Sequence, residues 1–232
     1  MRLFYDPSIS KESTSHVLDE VESKHVVKVL RLKEGDNIGL LNGAGSIFSC
    51  TITDANAKKC SVSIDKVETS ETPEHAIHIA VAPTKQNERL EWFVEKATEI
   101  GVTRITPITT KNSERIRLKE DRLIKKAVSA MKQSNRLFLP QVDQLTDLTS
   151  FLKENPNGLI AHCYKEERNK LEDVFQSKSC PILIGPEGDF TPEEIELAFS
   201  NGYKSITLGE NRLRTETAAL YAVMRAKLKT EK

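Results

Sequence analysis

Ile184-Gly185-Pro186-Glu187-Gly188-Asp189-Phe190-Thr191-Pro192-Glu193-Glu194 leaves an apolar, strand-like stretch, Ile182–Gly185, and enters a segment with helical spacing. Thr191 suits a helix N-cap, Pro192 the first helical position, and Glu194 completes a capping box. A helix over Pro192–Ser200 is therefore predicted. Gly185 and Gly188 permit backbone conformations closed to other residues and let a ligand approach the main chain. A plain strand–turn–helix connection would need glycines for its turn as well. A second passage of the same kind follows at Leu208-Gly209-Glu210-Asn211-Arg212-Leu213-Arg214-Thr215-Glu216-Thr217-Ala218-Ala219. It leaves a strand at Ser205–Leu208 through a glycine and enters a helix over Glu216–Leu228, with Thr215 as the expected N-cap.

Upstream, the same rhythm runs back to residue 76. Apolar strands at Ile77–Ala82, Arg104–Ile108 and Gly158–Cys163 alternate with helices over Asn87–Ile100, Glu120–Gln133 and Gln144–Lys153. Leu90, Phe93, Val94, Ala97 and Ile100 form a stripe at helical spacing. Such alternation predicts an α/β fold with a mostly parallel sheet and helices on both faces. In such sheets ligands bind beyond the carboxyl ends of the strands, where both glycine loops lie. The first seventy residues differ. A strand at Arg2–Tyr5 precedes a short helix holding His25, Val26, Val27, Val29 and Leu30, with Ser23 as its expected cap. Strands at Asn37–Leu41, Ser46–Thr53 and Lys59–Val67 then suggest a small β-barrel. Glu68–His75, polar and containing Pro73, is the expected linker, so the domains are 1–70 and 76–232.

Composition narrows the function classes. The 232 residues are 38% hydrophobic and 29% charged, as suits a globular chain with a core. No apolar run approaches the ~20 residues of a membrane span, and the first residues lack the apolar region of a signal peptide. Cys50, Cys60, Cys163 and Cys180 show no C-x-x-C spacing and no neighbouring His cluster. They are read as reduced thiols in a cytoplasmic protein without a metal site. Net charge is zero, yet residues 104–136 hold ten Lys and Arg against three Asp and Glu, and residues 141–200 hold five against twelve. The basic segment either attracts a polyanion or pairs with the acidic one. Neither glycine loop matches the dinucleotide or triphosphate fingerprints, and no G-x-S-x-G is present.

The paired passages Ile184–Phe190 and Leu208-Gly209-x-x-x-Leu213-Arg214-x-Glu216-Thr217-Ala218 resemble the cofactor region of SPOUT methyltransferases. More narrowly, the chain is similar to the RsmE family, which methylates N3 of a uridine in bacterial 16S ribosomal RNA. Further blocks carry the resemblance: His25–Arg31; Lys85 with Glu95–Gly101; and Gln133-Ser134-Asn135-Arg136 with Pro140. It covers nearly the whole chain. Many relatives carry a second glycine where Asp189 stands, and many carry Glu where this chain has Lys132.

The resemblance implies a PUA-like N-terminal barrel, a SPOUT-type α/β domain with a trefoil knot, and S-adenosylmethionine as cofactor. Its implied partners are 16S ribosomal RNA or the small ribosomal subunit and a second copy in a homodimer, with no membrane and no metal. The cofactor would be held by Ile184, Gly185, Pro186, Glu187, Gly188, Leu208, Gly209, Leu213 and Arg214. Uridine N3 carries a proton at neutral pH, so a cation near the flanking carbonyl oxygens or a base would assist. Arg214 is expected as the electrostatic partner and Glu216 as base or orienter; Glu216 otherwise serves only the helix dipole. Lys24, His25, Arg31, Arg115, Arg117 and Arg136 are the expected RNA contacts, with packing against an apolar helix as the other reading of His25. Two other functions stay open: ribose 2′-O methylation of the SpoU kind, and a noncatalytic RNA-binding or ribosome-assembly role.

Overall fold

The computed structural model describes residues 1–164, 168–175 and 180–231. They fall into two compact units, Met1–Thr72 with Met131–Leu139, and Pro73–Ala130 with Pro140–Lys232.

The first unit contains β1 (Arg2–Tyr5), β2 (Ser15–Val17), α1 (Glu20–Lys24), β3 (Asn37–Leu41), β4 (Ser46–Asp54) and β5 (Ser61–Thr69). These strands form one sheet in the order β1-β3-β4-β5-β2, parallel only between β1 and β3. Alternate residues of β4 are buried, as expected of a strand with one face on a core. That core gathers Phe4, Ile38, Leu40, Phe48, Cys50, Ile52 and Val62. Burial, with the charge of Asp65 nearby, pushes the Cys50 thiol up to about 12, so it stays protonated and inert at neutral pH.

Two details here differ from expectation. Asp19, not Ser23, caps α1: its Oδ1 accepts from Glu22 N at 2.7 Å. Ser23 is buried one turn inside, donating to Leu18 O at 3.1 Å and accepting from Cys60 N at 2.9 Å. A serine before an apolar run looks like a cap in sequence; only the tertiary contact reveals the other use. His25–Val29 then form a π turn, closed by Leu30 N donating to His25 O at 2.9 Å. The segment Met131–Leu139 completes this unit, with Gly45 N donating to Leu137 O and Leu139 N to Gly43 O, each at 2.9 Å.

The second unit contains β6 (His78–Val81), α2 (Asn87–Ile100), β7 (Arg104–Thr109), most of α3 (Glu120–Gln133), β8 (Gln141–Val142) and β9 (Thr146–Asp147). It continues with α4 (Leu148–Glu154), β10 (Leu159–Ala161), β11 (Asn169–Lys170), α5 (Leu171–Val174), β12 (Pro181–Ile184), α6 (Pro192–Ser200), β13 (Lys204–Thr207) and α7 (Thr215–Thr230). The sheet order is β11-β13-β10-β12-β6-β7-β8, with β9 on β7, and every pairing is parallel. β6 and β12 are buried along their whole lengths, which is why they read as continuous apolar runs. On α2, Leu90, Phe93, Val94 and Ala97 are buried, and the helix stops at Gly101, whose φ is 119°. The helix expected over Gln144–Lys153 begins only at Leu148, capped by Asp147, because Thr146 and Asp147 pair with Ile108 and Thr109.

His78 on β6 is buried, and its Nε2 lies 2.7 Å from Thr106 Oγ1, which in turn bonds Asp143. Burial, aided by the Arg104 charge and opposed by Asp143, lowers the imidazole pKa to about 4. The unfolded chain takes up this proton near the ordinary histidine value of 6.5, so the contribution is complete above that pH and fades as pH falls toward 4. A shift of this size corresponds to about 3 kcal/mol. Urea unfolding at pH 7 and pH 4.5 should show a drop that is smaller in His78→Gln; equal drops in the two proteins would refute this source.

Candidate active site

Because all strands of the second unit run parallel, the loops after β10, β12 and β13 leave the sheet at one edge. They enclose a cleft of about 440 Å³. Ile184, Gly185, Pro186 and Glu187 line one wall, and Leu208, Gly209, Leu213 and Arg214 another. The third wall, Ala161–Cys163 at the end of β10, was not foreseen, since this stretch carries neither a glycine turn nor a capping signal. Gly188 does not line the cleft. It faces the other way, where a Cβ would lie 3.1 Å from Asn112 Cβ, and its carbonyl accepts from Asn112 Nδ2 at 3.2 Å.

The two glycine loops are fastened to each other. Thr215 Oγ1 donates to Gly185 O at 3.0 Å, and Arg212 Nη2 donates to Glu187 O at 3.0 Å. Thr215 is thus the first helical residue of α7, and Arg214 takes the N-cap place without a side-chain cap bond. The hydroxyl expected to cap the helix serves the neighbouring loop instead. Gly185 is needed for close approach: a Cβ there would stand 3.0 and 3.1 Å from ring carbons of the fully buried Phe190. The left-handed positions are Gly209, φ 119°, and Asp189, φ 62°. Left-handed backbone favours glycine, and short polar side chains that bond locally tolerate it best. Asp189 does so, its Oδ1 accepting from Phe190 N and its Oδ2 from Cys163 N, both at 2.8 Å. The Asp189 carboxylate therefore ties the β12 loop to the β10 loop.

Arg214 and Glu216 part company. Arg214 is exposed at the cleft and has no carboxylate partner among the described residues. Glu216 is buried, outside the cleft lining, with Oε1 3.7 Å from Arg89 Nε on α2. Two residues at ~100° each turn the side chain about 200° around a helix start, so neighbours two apart face opposite ways. Of the expected RNA contacts, four belong to the first unit. Lys24 pairs with Glu20 at 2.6 Å, while His25 packs edge-on to Phe4 with its Nδ1 3.3 Å from Glu22 Oε2. Arg31 is exposed with φ 56°. Arg136 is half-buried, and that burial lowers its pKa. In the second unit, Arg115 donates to Thr84 O and Lys85 O at 3.2 and 2.6 Å, whereas Arg117 is exposed. Among the described residues there is no cluster of His, Cys, Asp and Glu suited to a metal, and no helix long and apolar enough to cross a membrane.

Comparison with known proteins bears on this cleft. Residues 70–227 match the model of an RNA methyltransferase domain, and residues 18–65 that of an RNA methyltransferase PUA domain. The chain is 32% identical to ribosomal RNA small subunit methyltransferase E of Rickettsia conorii, over 98% of this chain and 95% of that protein. A crystal structure described as a "probable rRNA-methyltransferase", from Porphyromonas gingivalis, superimposes with a TM-score of 0.85 at 40% identity, covering 96% of this chain and 95% of that one. Ribosomal RNA small subunit methyltransferase E from Neisseria gonorrhoeae, crystallised bound to S-adenosyl methionine, also gives a TM-score of 0.85, at 27% identity and the same coverage.

Proposed function

We propose, starting from a chain that belongs to the RNA methyltransferase family and specifically to its ribosomal RNA small subunit methyltransferase E branch, that it methylates N3 of a uridine in 16S ribosomal RNA using S-adenosylmethionine. The observation that carries this reading is the cleft in which two fastened glycine loops place an arginine, Arg214, that has no carboxylate partner among the described residues. The cleft fits the cofactor. Its volume of about 440 Å³ lies in the range of small-molecule sites, Ile206, Leu208 and Leu213 offer apolar surface for a base, and no neighbour comes within 4 Å of a Cβ built on Gly209. Ile184, Gly185, Pro186, Glu187, Leu208, Gly209 and Leu213 would hold it. The bound cofactor supplies a methyl group already activated on a sulfonium.

The chain's own task is alignment and charge. Loss of the N3 proton to solvent leaves negative charge shared with the flanking carbonyl oxygens, and the Arg214 guanidinium stabilises it. Glu216, held against Arg89, acts as an orienter that fixes the start of α7 rather than as the base. RNA phosphates meet the basic residues of each unit, Lys24, Arg31 and Arg136 in one and Arg115 and Arg117 in the other. The reading extends to a cytoplasmic homodimer with a trefoil knot in its second unit; exposed Trp92 on α2 and Met224 and Leu228 on α7 support an apolar face for a second copy. Incubation of unmodified 16S RNA or small subunits with enzyme and S-adenosylmethionine, followed by mass spectrometry of nucleosides, should yield 3-methyluridine. A ribose-methylated product would favour 2′-O chemistry instead, and no cofactor binding by calorimetry would favour a noncatalytic protein.

A further inference from the structure

A second concavity in the same unit shares no lining residue with the cofactor cleft. It lies between the first turns of α2 and α3, with a volume of about 480 Å³. Its floor is apolar, formed by buried Leu90 and Leu123 and half-buried Leu118. Its walls carry Arg115, Arg117, Lys119 and Arg122. Two of these cations are already engaged. Arg122 Nη2 is 2.8 Å from Glu91 Oε1, and Arg115 donates to the carbonyls of Thr84 and Lys85. Arg117 and Lys119 are exposed and have no carboxylate partner among the described residues. Two unpaired cations over three leucines make a poor resting surface but a good seat for an anionic group joined to a flat apolar one. Among the described residues, no acidic side chain neutralises the basic face at Arg117 and Lys119.

The groove also lies beside the cofactor cleft. Lys85, whose carbonyl accepts from Arg115, donates its own N–H to Glu187 Oε1 at 3.1 Å, and Glu187 lines that cleft. A chain of two hydrogen bonds thus spans the distance between groove wall and cofactor wall.

We propose that this groove is a nucleotide subsite for the RNA substrate. It takes one nucleotide that is not methylated, with the base on Leu90, Leu118 and Leu123 and the phosphate on Arg117 and Lys119. This rests on the chain acting as an RNA methyltransferase. The seated nucleotide anchors the strand next to the cleft, so its loss weakens substrate binding without touching cofactor or chemistry.

The experiment measures methylation kinetics of small subunits for wild type, the double variant Arg117→Ala/Lys119→Ala, and Leu118→Ala, with cofactor affinity from calorimetry. The double variant is expected to raise KM for the subunit about ten-fold, with kcat and cofactor affinity within two-fold of wild type. Its plot of log affinity against log salt should be shallower by about 0.7–0.9, the value for one phosphate no longer neutralised. Leu118→Ala should raise KM about three- to five-fold while leaving the salt slope unchanged. An unchanged KM in the double variant overturns the subsite. So does an effect of the charges without any effect of Leu118→Ala, which would mean diffuse attraction to a polyanion. Wild type that binds no cofactor or methylates nothing would instead overturn the enzymatic reading.

Discussion

Arg214→Ala should bind S-adenosylmethionine with close to wild-type affinity and transfer its methyl group about 100- to 1000-fold more slowly. The magnitude is that of losing one donor preorganised toward charge that develops in a transition state. Several features argue for a selective effect. The Arg214 side chain makes no cap bond to α7 and has no carboxylate partner among the described residues, so its removal breaks neither kind of tie. The wall it belongs to is held independently by Thr215 on Gly185 and by Arg212 on Glu187. Arg214→Lys should recover part of the rate, since it restores the charge without the planar fork. Calorimetry with the cofactor and single-turnover transfer to small subunits separate the two quantities. If Arg214→Ala lost cofactor binding and transfer together, the residue would be a cofactor ligand and its catalytic role would fall. Glu216→Gln provides the contrast: removing a general base would cost as much as removing Arg214, whereas removing an orienter should cost ten-fold or less.

Phe190→Ala should lower stability by about 3–5 kcal/mol, the usual range for removing a fully buried phenyl ring. Phe190 is fully buried in the core shared with Leu183, Ile195, Phe151 and Tyr203. Its ring also backs Gly185, so the cavity left behind lies directly under the cofactor wall. Stability and cofactor affinity are thus expected to fall together, in contrast to Arg214→Ala, where neither should. Phe190→Leu keeps most of the volume and should cost under about 1.5 kcal/mol. Urea titrations of the two variants test this; equal stability of Phe190→Ala and wild type would show that the loop does not depend on its core packing.

The long elements were legible because each carries its own periodic or capping signal. The Thr191–Glu194 capping box and the α2 stripe fell where the pattern put them. β2, β8, β9 and β11 are two or three residues long, too short for any period, and exist only because a neighbour pairs with them. The two glycine loops stood out as sites, but their manner of assembly did not. The Thr215 hydroxyl bonds a carbonyl 30 residues away, and Asp189 reaches Cys163 across 26; no local rule encodes such partners. Helix geometry could have separated Arg214 from Glu216 beforehand, had the helix been started one residue earlier. The Arg117–Lys119 groove was half visible as charge, while its leucine floor needed α2 and α3 side by side.

Residues Met131–Leu139 close hydrogen bonds with Gly43 and Gly45 in the first unit, although residues 73–130 on one side and 140 onward on the other belong to the second. Chains are made from the amino end, and domains usually fold as they emerge. Here the first unit waits: its last piece reaches the nascent chain only after more than half of the protein has been translated. The two units are therefore interleaved along the message rather than successive, and a gene fragment stopping at the linker encodes an incomplete fold.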